Sequence, residues 1–106
     1  MNLISREELK EKLDRGDDFK LVMVLGDWAF HARHIPGSLN ISHMNEIEGQ
    51  LDPQDEIVVY CSDQTCIASQ AAYHFLTKKG FSNVRRFAGG LAEWDAAGYP
   101  LEGEGL

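Results

Sequence analysis

Three short apolar runs, at residues 20–25, 56–60 and 84–87, alternate with stretches of helical spacing, and this alternation constrains the fold more than any other feature. The run at 56–60 (EIVVY) carries three β-branched residues in a row, Ile57, Val58 and Val59, which favour a pleated strand. The run at 20–25 (KLVMVL) is bounded by polar residues and Gly26 and reads as a buried strand. Residues 84–87 (VRRF) supply a last strand, and Leu39 with Ile41 a brief one. Helical patterns fill the gaps. Ser5 and Glu8 form a capping box ahead of Leu9 and Leu13, with Gly16 as the stop. Asp27 is placed to cap a short helix over 28–33, and residues 42–50 suggest another. From 66 to 79, positions 68, 71, 72, 75 and 76 keep apolar residues at helical spacing, ended by Gly80. Gly89 and Gly90 lead into a helix over 91–97, and residues 102–106 read as a frayed tail. Strands that alternate with helices form parallel βαβ units. The expected fold is therefore α/β, one domain over 1–106, with helices on both faces of a parallel sheet.

In such sheets ligands sit beyond the carboxyl ends of the strands. Cys61 occupies that place, one residue past Tyr60 and ahead of a helix. The loop Cys61-Ser62-Asp63-Gln64-Thr65-Cys66 can curl so that the backbone N–H groups of residues 62–66 converge on the first side chain, and the following helix adds partial positive charge. Both effects favour a sulfur anion, the reactive form of cysteine. Cys61 is thus the candidate nucleophile, and a persulfide anion on it would be held by the same amides. Cys66 has two readings, a resolving thiol for Cys61 or a small residue in the first turn of the helix. A disulfide between the two is expected to require some rearrangement of the loop.

The formal charge is −7, from 17 acidic and 10 basic residues. Nucleic acid and anionic membranes both need a basic surface, so neither is an expected partner. No apolar run approaches the ~20 residues of a membrane span, and the amino terminus lacks the basic start and apolar stretch of a signal peptide. A cytoplasmic location is expected, alone or as a module of something larger. Two cysteines five positions apart cannot staple distant parts of a fold, which removes a secreted disulfide scaffold.

Three motifs in order, residues 34–41 (HIPGSLNI), residues 57–61 (IVVYC) with their loop and helix, and residues 87–94 (FAGGLAEW), resemble the rhodanese-homology family along nearly the whole chain. The resemblance implies a five-stranded parallel sheet flanked by helices. It also implies a sulfurtransferase or sulfane-sulfur carrier in which Cys61 carries the sulfur and the backbone of Ser62, Asp63, Gln64, Thr65 and Cys66 cradles it. The partners so implied are a small sulfur donor and a thiol or cyanide acceptor, with room for a protein partner, and no cofactor. The family commonly ends this loop with Arg, where Cys66 stands here, and has a small residue where Gln64 stands. A guanidinium fork would hold an anionic donor, so thiosulfate is expected to be a poor one. The related phosphatase use of the fold needs Arg six positions after the cysteine, and Ile67 stands there instead.

Two other classes compete with sulfur transfer. One is thiol–disulfide redox chemistry between Cys61 and Cys66. The other is a catalytically weak interaction module built on the same fold. Metal binding is not expected: Cys61, Cys66 and His74 fall short of the four ligands of a structural zinc site. His34 belongs to the turn motif, while His31 and His43 are expected to be exposed. Trp28 and Trp94 read as core or core-edge residues. Arg85 and Arg86 must face opposite sides of their strand, and either is a possible substitute anion contact.

Overall fold

The apolar runs form four parallel strands, β1 (Lys20–Met23), β2 (Leu39–Asn40), β3 (Ile57–Tyr60) and β4 (Val84–Phe87), in the spatial order β2-β1-β3-β4. The structure is a computed structural model and describes residues 1–47 and 49–105. The α/β class and the parallel sheet agree with the sequence, but the sheet has four strands rather than five. At the place of a fifth, Leu3 makes a single parallel bridge to Arg86. The Arg86 N–H donates to the Asn2 carbonyl at 2.9 Å, and the Ile4 N–H donates to the Arg86 carbonyl at 3.1 Å. Pairing stops there because Ser5 already caps the first helix.

Strand alternation sorts the core into two halves. Val22, Val59, Cys61 and Val84 pack with Ala72 and Leu76 of helix α3 (Ala68–Lys78). Leu21, Met23, Val58, Tyr60 and Phe87 pack with Leu9 of α1 (Arg6–Arg15) and with Leu91 and Trp94 of α4 (Gly90–Ala96). Helices therefore cover both faces. Cys61 continues the parity of Val59, so its side chain belongs to the α3 face.

Several local expectations are corrected. Ser5 Oγ accepts from the Glu8 N–H at 3.1 Å, yet the Glu8 carboxylate does not close the capping box. It pairs instead with both terminal nitrogens of Arg85 on β4, at 2.5 and 2.9 Å, a two-point contact stronger than one amide. Helix α2 (Asp27–Ala32) is capped by Gly26, not Asp27, whose carboxylate accepts from Asn40 Nδ2 at 2.6 Å. In the region 42–50 the described residues form only a 3-10 turn at Met44–Glu46, and Glu48 lies outside the described residues.

The tail expected to fray is tied down as far as Gly105. His34 and Glu102 form an antiparallel bridge, and the N–H groups of Glu104 and Gly105 donate to the carbonyls of His31 and Ala32. Leu106 lies outside the described residues. Trp94 is core, with its indole N–H donating to the Pro100 carbonyl at 2.8 Å. Trp28 is not: it is 84% exposed, because the short α2 turns Ala29 and Phe30 inward instead. No helix among the described residues is long and apolar enough to cross a membrane.

Candidate active site

The carboxyl end of β3 is fixed from three directions. The Val24 N–H donates to the Tyr60 carbonyl at 3.0 Å, which ties the strand end to β1. On the α1 and α4 face, the Tyr60 hydroxyl accepts the Ile35 N–H at 3.0 Å and lies 2.9 Å from Ser38 Oγ. Ser38 Oγ donates to the Ile35 carbonyl at 2.7 Å. The tyrosine proton therefore goes to Ser38, and the three groups form one closed buried network. Burial pushes the Tyr60 hydroxyl up to about 12 from its ordinary 10.0. The turn at residues 34–38 is thus pinned to the residue immediately before Cys61.

The third anchor is α4. Gly90 has φ +59°, and a Cβ there would collide with the Cys61 carbonyl oxygen and stand 2.9 Å from the Ser62 carbonyl carbon. Only glycine allows this approach. The Leu91 N–H donates to the Cys61 carbonyl at 3.0 Å and the Ala92 N–H to the Ser62 carbonyl at 2.9 Å. In a trans peptide the N–H points opposite to its carbonyl. Turning these carbonyls toward α4 therefore turns the N–H groups of Ser62 and Asp63 away from α4. Farther along, the N–H groups of Thr65 and Cys66 donate to the Asp63 side chain and the Asp63 carbonyl, at 3.0 and 3.2 Å.

Cys61 is 1% exposed and joined by a disulfide to Cys66, with the Cα atoms 6.5 Å apart. Cys66 is not in the helix: α3 begins at Ala68 after Ile67, which leaves Cys66 in the loop with its end folded back toward its start. Ser69, in the first turn of α3, places Oγ 3.3 Å from Cys61 Sγ. Arg86 Nε donates to that same oxygen at 2.8 Å, and Arg86 Nη2 to the Cys66 carbonyl at 3.5 Å. Arg85 faces the other way and belongs to Glu8. The Thr65 hydroxyl and N–H hold the Asp63 carboxyl below its usual range, so a negative charge stands in the loop.

Outside the loop lie two adjoining shallow clefts of about 520 and 410 Å³ that share Gln64, Gly89 and Glu93. Their charged lining is Arg6, Glu7, Asp63 and Glu93, acidic on balance. Among the described residues no group of three His, Cys, Asp or Glu side chains is arranged to hold a metal ion. His31, His43 and His74 are exposed, and His34 stacks on Phe30 with its Nδ1 2.8 Å from the Phe30 carbonyl.

The chain that carries this site matches known proteins along most of its length. The Rhodanese-like domain family matches residues 5–97. The chain belongs to this family. It is 29% identical over 96 residues to the thiosulfate sulfurtransferase GlpE of Pseudoalteromonas translucida, covering 89% of each chain. It is 30% identical over 79 residues to a thiosulfate sulfurtransferase of Corynebacterium glutamicum, covering 58% of this chain but only 25% of that longer protein. The rhodanese-like domain of the Alr3790 protein from Anabaena sp. superposes with a TM-score of 0.87 at 28% identity, covering 99% of this chain and 81% of that one.

Within the rhodanese-like fold, Cys61 stands where the sequence put it, directly after β3 in a loop ahead of α3. The sequence left Ser69 unnoticed and Arg86 undecided. The signal for Ser69 was present: positions 69, 72 and 76 form one helical stripe, and a lone polar residue on a buried stripe needs a partner.

Proposed function

We propose that this rhodanese-like protein is a sulfurtransferase or sulfane-sulfur carrier that forms a persulfide on Cys61. The observation that carries this reading is the place of Cys61, one residue past β3, in a loop whose Cys61 and Ser62 carbonyls are drawn to α4. The Cys61 thiolate attacks the outer sulfur of a donor, the donor's sulfur–sulfur bond breaks, and its electron pair leaves with the remaining fragment. For thiosulfate that fragment is sulfite. The persulfide then yields its terminal sulfur to a thiol or cyanide. Thiosulfate itself is expected to be a poor donor, because Cys66 stands where a guanidinium would grip it and Asp63 and Glu93 line the cleft beside the loop. Intact mass after incubation with several sulfane-sulfur donors tests the reading. Wild type and Cys66→Ser should gain one sulfur atom and Cys61→Ser none. Sulfur retained by Cys61→Ser would overturn the assignment.

A second reading, thiol–disulfide exchange between Cys61 and Cys66, is favoured by their 6.5 Å Cα separation, inside the ~7 Å limit for a disulfide. The two readings join in one cycle if Cys66 discharges the persulfide. They part if oxidation acts on Cys61 directly.

A further inference from the structure

Below the Cys61 loop lies a buried polar cluster that neither reading has used. Arg86 is 6% exposed, on the face of β4 turned to α3, and its Nε donates to the fully buried Ser69. Because Ser69 Oγ accepts from the guanidinium, its own proton is free to point at Cys61 Sγ, 3.3 Å away. Among the described residues no carboxylate forms an ion pair with Arg86, although its neighbour Arg85 has Glu8. A buried cation is costly unless an anion or strong acceptors answer it. In the reduced protein the sulfur of Cys61, which shares Ser69 Oγ with Arg86, is placed to be that anion.

We propose that Arg86, acting through Ser69, is a positioning residue that supplies the counter-charge for the Cys61 thiolate and for the persulfide anion formed on it. This deepens the sulfur-transfer reading, and its persulfide half rests on that reading. Burial alone favours the neutral thiol, so a sulfur held in the core needs a compensating positive charge. With no guanidinium at the loop end, this chain takes that charge from the sheet below. The other groups around Cys61 do not provide it. The loop contributes Asp63, a negative charge turned to Thr65. Helix α4 contributes Glu93, whose side chain packs over Gly89. On the α3 face β1 presents Val22 and Val24, and α3 presents Ala72 beside Ser69. Tyr73 turns its hydroxyl to the Asn2 N–H, and Asp27 beyond β1 is held by Asn40.

The test follows alkylation of Cys61 by iodoacetamide against pH, read by intact mass, in reduced protein carrying Cys66→Ser so that one thiol reacts. Ser69→Ala and Arg86→Gln should each move the midpoint upward by about one pH unit, a tenfold loss of thiolate at fixed pH. Arg86→Lys should restore part of it, which a purely structural role would not do. If Arg86→Gln fails to fold, Ser69→Ala decides alone, since it removes one oxygen. A midpoint unchanged in folded Ser69→Ala overturns the proposal. The assay reads the charge on the thiol without any donor, so its failure is distinct from failure to gain sulfur.

Discussion

The Ile35 N–H donates to the hydroxyl of Tyr60 at 3.0 Å, a buried bond that spans 25 residues of chain and ends beside Cys61. It converts the turn at 34–38 from a surface connection into a support for the strand end. Tyr60→Phe removes the oxygen and leaves the Ile35 N–H and Ser38 hydroxyl short of a partner in the core. The expected loss is about 1–3 kcal/mol, measured by urea unfolding at neutral pH. Burial of the same hydroxyl makes stability fall in alkali. The tyrosine proton is held more tightly in the folded protein, about 12 against 10.0. Its contribution is full below pH 10, falls as the unfolded chain ionises, and is gone above about 12, a total of roughly 3 kcal/mol. Tyr60→Phe should flatten this decline. An equally steep decline in the variant would place its cause elsewhere.

Gly90 sets how closely α4 approaches the loop. Alanine there meets both an unfavourable φ of +59° and the backbone of Cys61 and Ser62. The left-handed conformation alone costs roughly 1–2 kcal/mol for a residue with a Cβ. The collision adds to this and pushes α4 off the loop carbonyls, which releases the Ser62 and Asp63 amides from the orientation those bonds fix. Gly90→Ala is therefore expected to lose stability in urea and to gain sulfur at Cys61 more slowly than wild type. By contrast, Gly16→Ala, at a helix end where a Cβ has open space, should lose stability alone. Equal sulfur loading in folded Gly90→Ala and wild type would remove α4 from the account of the cradle.

The strands were legible because β-branched runs such as 57–59 have few other uses, and Cys61 was legible because it follows one directly. The short pieces were harder to read. Asp27 looks like a cap in sequence, but Asn40 on β2 competes for its carboxylate. Glu8 sits at capping-box spacing from Ser5, but Arg85 arrives from 77 residues away. In both places a long-range partner won over a local one, and nothing in the local sequence encodes that partner. Arg86 was ambiguous for a related reason. Alternation placed one arginine on each face, but only the register of β4 against β3, Arg86 opposite Val59, assigns which one lies under the cysteine.

Cys66 separates a carrier that waits for an acceptor from one that discharges its own sulfur. In the second case the Cys66 thiolate attacks Cys61 Sγ, a disulfide forms, and the terminal sulfur leaves as hydrosulfide with the Cys66 proton. No outside oxidant is needed, because the persulfide sulfur is itself reduced. Wild type loaded once with donor should then lose its added sulfur, release sulfide, and end two hydrogens lighter than the reduced protein, with dithiothreitol restoring both thiols. Cys66→Ser should keep its persulfide for longer and release no sulfide without an added thiol. Under mild peroxide, wild type should stop at the disulfide, whereas Cys66→Ser should climb to the sulfinic acid at Cys61. The loop as folded brings the two residues within disulfide reach, so no helix must unwind for this step. Should peroxide-treated wild type keep a free Cys66 thiol while Cys61 reaches the sulfinic acid, Cys66 takes no part in the chemistry.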